Sequence, residues 1–438
     1  MFHYYLRLGM RSLRRNPALT ALMVLILAIG VAASVSTLTI LHVMSSDPIP
    51  QKSDRLFVPF IDNGSPEGYS AANVGKNDPQ LSYIDTVNFL KSGAGARRTA
   101  LYGINATIDP PRKTLPVMAS DGIAPTRDFF AMFDVPFLYG QPWSEADDKQ
   151  GADVVVLSKA LAETLFGAVD PVGKRVRMMG FDYQVVGVLK PWRPLPKFYR
   201  LIGGEGAFGD EDAFMIPFSS AIRHETGHAG SMSCHGDRDP GWQGLLASEC
   251  TWLQFFFETP TSAGRADLQN FLDNYAAEQR KLGRLRRAAP NQLFDVLQWM
   301  QFLKVVDNDS RLAAWLAFGF LLLCLVNTVG LMLAKFSVRA SEVGVRRALG
   351  ASRGAIFQQY LTESAAVGVA GGALGLLLAY GALALIGMQS DQLQVTAHMD
   401  WQMLVATFLM ALTAALVAGL LPTWRACQVT PALHLKSQ

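Results

Sequence analysis

Charge is scarce in this chain. Asp, Glu, Lys and Arg make up 17% of 438 residues, against 50% hydrophobic ones, which excludes a disordered or collagen-like polypeptide and disfavours an all-soluble enzyme. Neither sign dominates: 39 Lys and Arg stand against 36 Asp and Glu, a formal +3, so basic character can only be local. No nucleic-acid partner is expected. Four cysteines are too few for a disulfide scaffold, which leaves their significance to their positions.

What is abundant is uncharged length. Residues 18–43 contain no Asp, Glu, Lys or Arg, and 26 helical residues at about 1.5 Å each exceed the roughly 30 Å hydrocarbon core of a bilayer. The run lacks a small-residue cleavage pattern and is long for a signal-peptide core, so it reads as a retained anchor. Residues 312–334, 365–386 and 401–421 are equally free of charge. Four spans put both termini on one side, and the basic residues choose it. Arg7, Arg11, Arg14 and Arg15 precede the first span, and Lys335, Arg339, Arg346, Arg347 and Arg353 follow the second, whereas the connection at 388–400 has no Lys or Arg. The basic segments therefore face the cytoplasm. The expected organisation is an amphipathic helix at 1–17, transmembrane helices at 18–45, 310–335, 362–388 and 401–422, and an extracytoplasmic domain at 46–309. A cytoplasmic loop at 336–361, a short outside loop at 389–400 and a cytoplasmic tail at 423–438 complete it. Charge-free spans offer no proton relay or ion pathway, which disfavours a self-powered transporter. Gly30 with Ser34, Gly368 with Gly372, Gly371 with Gly375, and the polar Asn327 are expected to pack helices together, within one subunit or across a dimer seam.

The outside segment has the pattern of an α+β domain of short elements. Asp78 and Pro79 open a helical pattern with Leu81, Ile84, Val87 and Leu90 on one face. Residues 154–157, 175–178 and 183–189 read as strands, and 267–287 as a helix that turns basic at its end. Cys234 and Cys250 both lie outside, where an oxidising compartment favours their pairing.

Two motifs suggest chemistry. His224-Glu225-Thr226-Gly227-His228 has the HExxH spacing that places two zinc ligands one helical turn apart with a Glu to activate water. His235 or Glu249 could supply a third ligand. Gly227 within the would-be helix, and the Gly, Ser and Asp that follow, favour a surface loop instead. GAVDPVGK at 167–174 has five residues between its glycines and Arg175 where a magnesium-binding hydroxyl belongs, so it is no phosphate loop. A nucleotide that drives this protein is bound elsewhere.

The most informative stretch is RASEVGVRRALGAS at 339–352, a basic and small-apolar segment after the second span. A helix here would lie on the membrane surface with Arg346 and Arg347 toward water or lipid phosphate. With the Gly-rich third span that follows, it resembles the MacB/FtsX-like permeases of ABC transporters, whose loop has the form EIGIRRALGAS. LRLGMRSLRRNP at 6–17, TRDFFAMFDVPFLYGQPWSEAD at 126–147, VVLSKALAETLFGAVDPVGKRVRMMGFDYQVVGVL at 155–189 and LLPTWRA at 420–426 are also similar.

The resemblance implies four transmembrane helices and an extracytoplasmic domain made of a porter-like part with a small inserted β part. It also implies a non-catalytic subunit in a bacterial inner membrane. That subunit pairs with a second permease copy or paralogue, and ATP-driven closure of an ABC ATPase reaches the outside domain by mechanotransmission. The ATPase contact would comprise Glu342, Val343, Gly344, Val345, Arg346, Arg347, Ala348, Leu349, Gly350, Ala351 and Ser352. Leu6, Arg7, Arg11, Leu13, Arg14 and Arg15 would join it from the N-terminal helix. ATP and magnesium would sit on the ATPase, expected as a separate chain because some 17 residues precede the first span. Export of small molecules or peptides, with a periplasmic adaptor and an outer-membrane channel, is the first expectation. Moving lipoproteins or regulating the cell wall is the alternative within the family, and a membrane-anchored zinc hydrolase the alternative outside it. Residues 222–250, and the tail PALHLKSQ at 431–438, depart from the family pattern.

Overall fold

The computed structural model describes residues 16–61, 63–64, 79–203, 206–285, 290–338 and 340–388, with nine further positions between 405 and 424. They fall into two compact units, Ser46–Val305 and the remainder, Met1–Ser45 with Val306–Gln438. The chain enters through α1 (Pro17–Ser45), a 29-residue helix. Pro17 stands at its first position, where a missing N–H forfeits no helical hydrogen bond.

The unit Ser46–Val305 is built on one sheet. Its strands are β1 (Leu56–Phe60), β2 (Leu81–Ser82), β3 (Arg97–Asp109), β4 (Met118–Pro125), β5 (Phe137–Gly140), β6 (Val154–Leu157), β7 (Arg175–Met178), β8 (Phe181–Leu189), β9 (Phe214–Met215), β10 (Thr251–Glu258) and β11 (Gln292–Asp295). Its helices are α2 (Tyr83–Lys91), α3 (Asp128–Met132), α4 (Glu145–Gln150), α5 (Lys159–Phe166), α6 (Phe218–Arg223), α7 (Gly241–Ala247), α8 (Arg265–Lys281) and α9 (Val296–Phe302). The strand order is β11-β1-β10-β3-β4-β9-β6-β8-β5, with β2 attached to β10 and β7 bridging β3 and β8. The expected small β part is therefore not set off as a second sheet. Pairing is mostly antiparallel, with parallel pairs at β4–β9 and β6–β8.

Strand β10, TWLQFFFE, is buried at every position. Alternate side chains reach opposite faces. Phe255 and Phe257 join Phe89 of α2 and Leu268 and Leu272 of α8 in one core, while Phe256 joins Phe129 and Phe133, Tyr199 and Trp299 in the other. A strand covered on both faces reads as a continuous apolar run without period-two alternation, which is why the sequence pattern does not announce it. Strands β6 and β7 coincide with the expected ones, and β8 contains the third. The first helix differs. It begins at Tyr83, with Ser82 capping it by accepting from the Asp85 N–H, while Leu81 pairs with Leu253 of β10; Asp78 lies outside the described residues. Helix α8 stops at Lys281, short of 287, because Gly283 takes a left-handed φ of 84° and Arg284 turns back to Asp85 at 2.9 Å.

Two features lock the second half of this unit. The Asp212 carboxylate is buried and accepts from Tyr199 Oη at 2.8 Å, Arg200 Nη1 at 2.6 Å and Lys197 Nζ at 3.0 Å. Burial alone would raise its pKa, but Lys197 and then Arg200 outweigh burial and hold it below the ordinary carboxylate value. The second feature is the disulfide between Cys234 and Cys250, whose Cα atoms are 4.2 Å apart across 16 positions. Closing a loop of that size restricts the unfolded chain by about 3 kcal/mol. Replacing both cysteines by serine is expected to lower the melting temperature of the full chain by roughly 6–12 °C. An unchanged melting curve would show that the bridge adds nothing.

The other unit contains α10 (Asn308–Val338), α11 (Ala340–Ala348) and α12 (Arg353–Gly387). Among the described residues three helices, α1, α10 and α12, are long and apolar enough to cross a membrane. The expected fourth span, 401–422, lies outside the described residues except at isolated helical positions such as Val405 and Leu409. Helix α10 overruns both boundaries expected at 310–335, and α12 overruns the start expected at 362. Helix α12 starts nine residues early because Ser352 caps it, its Oγ accepting from the Ala355 N–H at 3.1 Å.

Several small residues lie where the helices approach each other closely. A Cβ on Gly30 would stand 2.9 Å from Cys324 Cβ, one on Gly371 2.8 Å from Leu27 Cδ2, and one on Gly375 3.0 Å from Val31 Cγ1. Glycine thus permits the approach of α10 and α12 to α1. Gly368 and Gly372 are buried as well, and Ser34 Oγ donates to the Ala317 carbonyl at 3.0 Å. Asn327 is exposed within the single chain. Its neighbour Thr328 takes the inward position, donating to the Cys324 carbonyl one turn back. Just outside the charge-free runs 312–334 and 365–386, Lys335 of α10 and Glu363 of α12 form an ion pair, each only 2% exposed.

Candidate functional site

The motif at 339–352 folds as helix α11 followed by a reversal. Helix α11 ends at Ala348, and two residues on Gly350 takes a φ of 98° that only glycine adopts readily. The Gly350 N–H donates to the Arg347 carbonyl at 3.1 Å and the Ala351 N–H to the Arg346 carbonyl at 3.0 Å. Ser352 then caps α12. Gly-Ala-Ser is thus a helix stop and a helix start separated by one residue.

The helix presents two dissimilar sides. Val343, 5% exposed, packs with Met23 of α1, Met332 and Phe336 of α10, and Ile356 and Tyr360 of α12. Arg346 is half-buried: Nη2 donates to Glu342 Oε1 at 2.8 Å and Nη1 to Gln359 Oε1 of α12 at 3.0 Å. It therefore braces α11 against α12, whereas the sequence reading turned it to water or lipid. Val345 is 52% exposed and Leu349 84% exposed, with exposed Ala348 beside them. Positions 345, 348 and 349 form one stripe on the helix surface, apolar and unburied, with half-buried Arg347 and exposed Arg353 nearby. Gly344 is buried, yet a Cβ there would meet nothing within 4 Å, so packing within this chain does not demand glycine. Leu6, Arg7, Arg11, Leu13, Arg14 and Arg15 lie outside the described residues, as does most of the tail. Spacing did not reveal Gln359, Lys335 or Glu363. Glu363 stands just before the uncharged run, where an isolated carboxylate could have drawn attention.

In the other unit, HETGH is not a helical metal site. Helix α6 ends at Arg223, His224 is its C-cap, and Glu225 has a positive φ of 54°. His224 Nε2 lies 2.7 Å from Asp153 Oδ1 and its ring packs on Phe181, while His228 packs on Trp252. Burial, and then Arg238, lower the His228 pKa. Among the described residues no group of three or more His, Cys, Asp or Glu side chains could hold a metal ion.

Residues 20–246 match the family model of the MacB-like periplasmic core domain, and residues 314–431 that of the FtsX-like permease C-terminal region. The chain belongs to the MacB/FtsX-like ABC transporter permeases. It is a transporter permease with transmembrane helices and a MacB-like periplasmic domain. The pyoverdine export ATP-binding/permease protein PvdT of Pseudomonas aeruginosa is 27% identical over 318 residues, 71% of this chain and 41% of that protein. The macrolide export ATP-binding/permease protein MacB of Rhodopirellula baltica is 25% identical over 429 residues, 96% of this chain and 60% of that protein. This permease thus spans roughly two-fifths to three-fifths of those relatives' lengths. The periplasmic region of MacB from Actinobacillus actinomycetemcomitans aligns over 58% of this chain and 95% of its own, with 14% identity and a TM-score of 0.37.

Proposed function

We propose that this chain is the permease subunit of an ABC exporter in a bacterial inner membrane, moved by an ATPase that docks on α11 from the cytoplasm. The observation that carries this reading is the stripe of Val345, Ala348 and Leu349. It lies exposed on a helix whose opposite side is held by residues from all three described spanning helices. A push on that stripe is delivered to α1, α10 and α12 together, because Val343 and Arg346 leave α11 little freedom to move alone. Helices α1 and α10 continue in the chain directly into the two ends of the unit Ser46–Val305, so they are the levers. Cargo handled by that unit then need not cross through the spans, and transport follows a mechanical stroke. A second permease completes the assembly, and the names of PvdT and MacB suggest small exported molecules as cargo.

The test is reconstitution in proteoliposomes with a candidate ABC ATPase from the same organism. The chain alone is expected to hydrolyse no ATP. With that ATPase it is expected to form a stable complex whose hydrolysis responds to the permease. ATP hydrolysis by the isolated chain, or no association with the ATPase, would contradict the reading.

A further inference from the structure

Lys335 and Glu363 form an ion pair between α10 and α12, two helices long and apolar enough to cross a membrane. Among the described residues the Lys335 ammonium has no hydrogen-bond acceptor beyond this carboxylate. Met332 and Phe336 flank Lys335 on α10, and Tyr360 and Val367 stand one turn to either side of Glu363 on α12. All four belong to the cluster that holds Val343 of α11. The Phe336 and Tyr360 rings meet with centroids 4.2 Å apart, and Arg346 reaches Gln359 on the same helix. The placement of α11 therefore depends on how α10 and α12 are set against each other. Apolar side chains tolerate several registers at similar energy. A buried charge drawn away from its counter-charge does not, so the pair selects one register, even though such pairs often add little to stability.

We propose that Lys335 and Glu363 are positioning residues that lock α10 and α12 in a single register and so hold α11 at the angle at which a partner can drive it. This rests on the reading of α11 as the ATPase contact, but its first test does not use the ATPase. Nitroxide labels at Val345→Cys and Gln358→Cys, in the full chain in lipid nanodiscs with Cys324→Ala and Cys427→Ala, report the distance between α11 and α12. The otherwise unmodified chain should give one narrow distribution. Lys335→Met with Glu363→Met should broaden or split it without lowering the melting temperature, whereas Glu363→Gln alone should lower that temperature. The exchange Lys335→Glu with Glu363→Lys should restore the narrow distribution. In the ATPase complex, ATP-driven transport should fall by roughly 2- to 30-fold in the double-Met variant and recover in the exchange. A narrow distribution at the original distance in the double-Met variant would overturn the proposal, as would a melting-temperature loss equal to that of Glu363→Gln. An ATPase that fails to bind the unmodified chain would instead defeat the ATPase reading and leave the distances to decide this one.

Discussion

Leu349→Asp is expected to abolish coupled transport while leaving the permease inserted and folded. At 84% exposed, Leu349 makes little contact within its own chain, so its loss should change stability by no more than about 0.5 kcal/mol. If an ATPase covers it, the same change removes apolar burial worth about 1.5–3 kcal/mol and places a carboxylate in an apolar contact, which costs more. At about 1.4 kcal/mol per tenfold, association should weaken by roughly 100-fold or more. Titration of detergent-solubilised permease with ATPase, beside thermal melting of the permease alone, separates the two quantities. Equal loss of melting temperature and binding would mean that Leu349 supports the fold and is no docking residue.

Asp212→Asn should act in the opposite manner, damaging the fold of the unit Ser46–Val305. The carboxylate neutralises Lys197 and Arg200, both buried. Removing one partner of such a cluster leaves uncompensated charge at a cost of about 3–5 kcal/mol, which corresponds to a fall in melting temperature of roughly 10 °C. The pH dependence has a definite sign. A carboxyl held below its ordinary value of 3.8 stabilises the fold fully above that value and loses the contribution as pH falls through its lowered pKa. The gap between the parent chain and Asp212→Asn should therefore be constant from about pH 5 to 8 and shrink below about pH 4. A gap that widened on acidification would show that the carboxylate is not the stabilising form.

Much of this architecture was legible in the sequence, because hydrophobic length and local punctuation act over a few residues. The uncharged runs marked three spanning helices, and small residues at helical spacing marked Gly30, Gly371 and Gly375 as contact points. The motif ending in Gly-Ala-Ser marks a helix stop and a helix start, since a left-handed glycine and a serine cap are local devices. Long-range pairing was less legible. Strand β10 carries no alternation because both of its faces are covered, and its pairing with β3, from Gln254↔Leu101 to Glu258↔Arg97, depends on register between distant residues. The orientation of Arg346 and the partnership of Lys335 with Glu363 join positions 13 and 28 residues apart. Neither follows from a helical repeat within a single element.

The most direct test of the central claim is photocrosslinking from position 349 in a purified, transport-competent complex, with position 322 as control. Leu322 is also exposed, but in the middle of α10. A photoreactive residue at 349 should form an adduct with the nucleotide-binding subunit, with a yield that changes between ATP and ADP, while the same residue at 322 labels lipid. If position 349 labelled only lipid or solvent in a complex that was actively exporting, α11 would not be where the force enters.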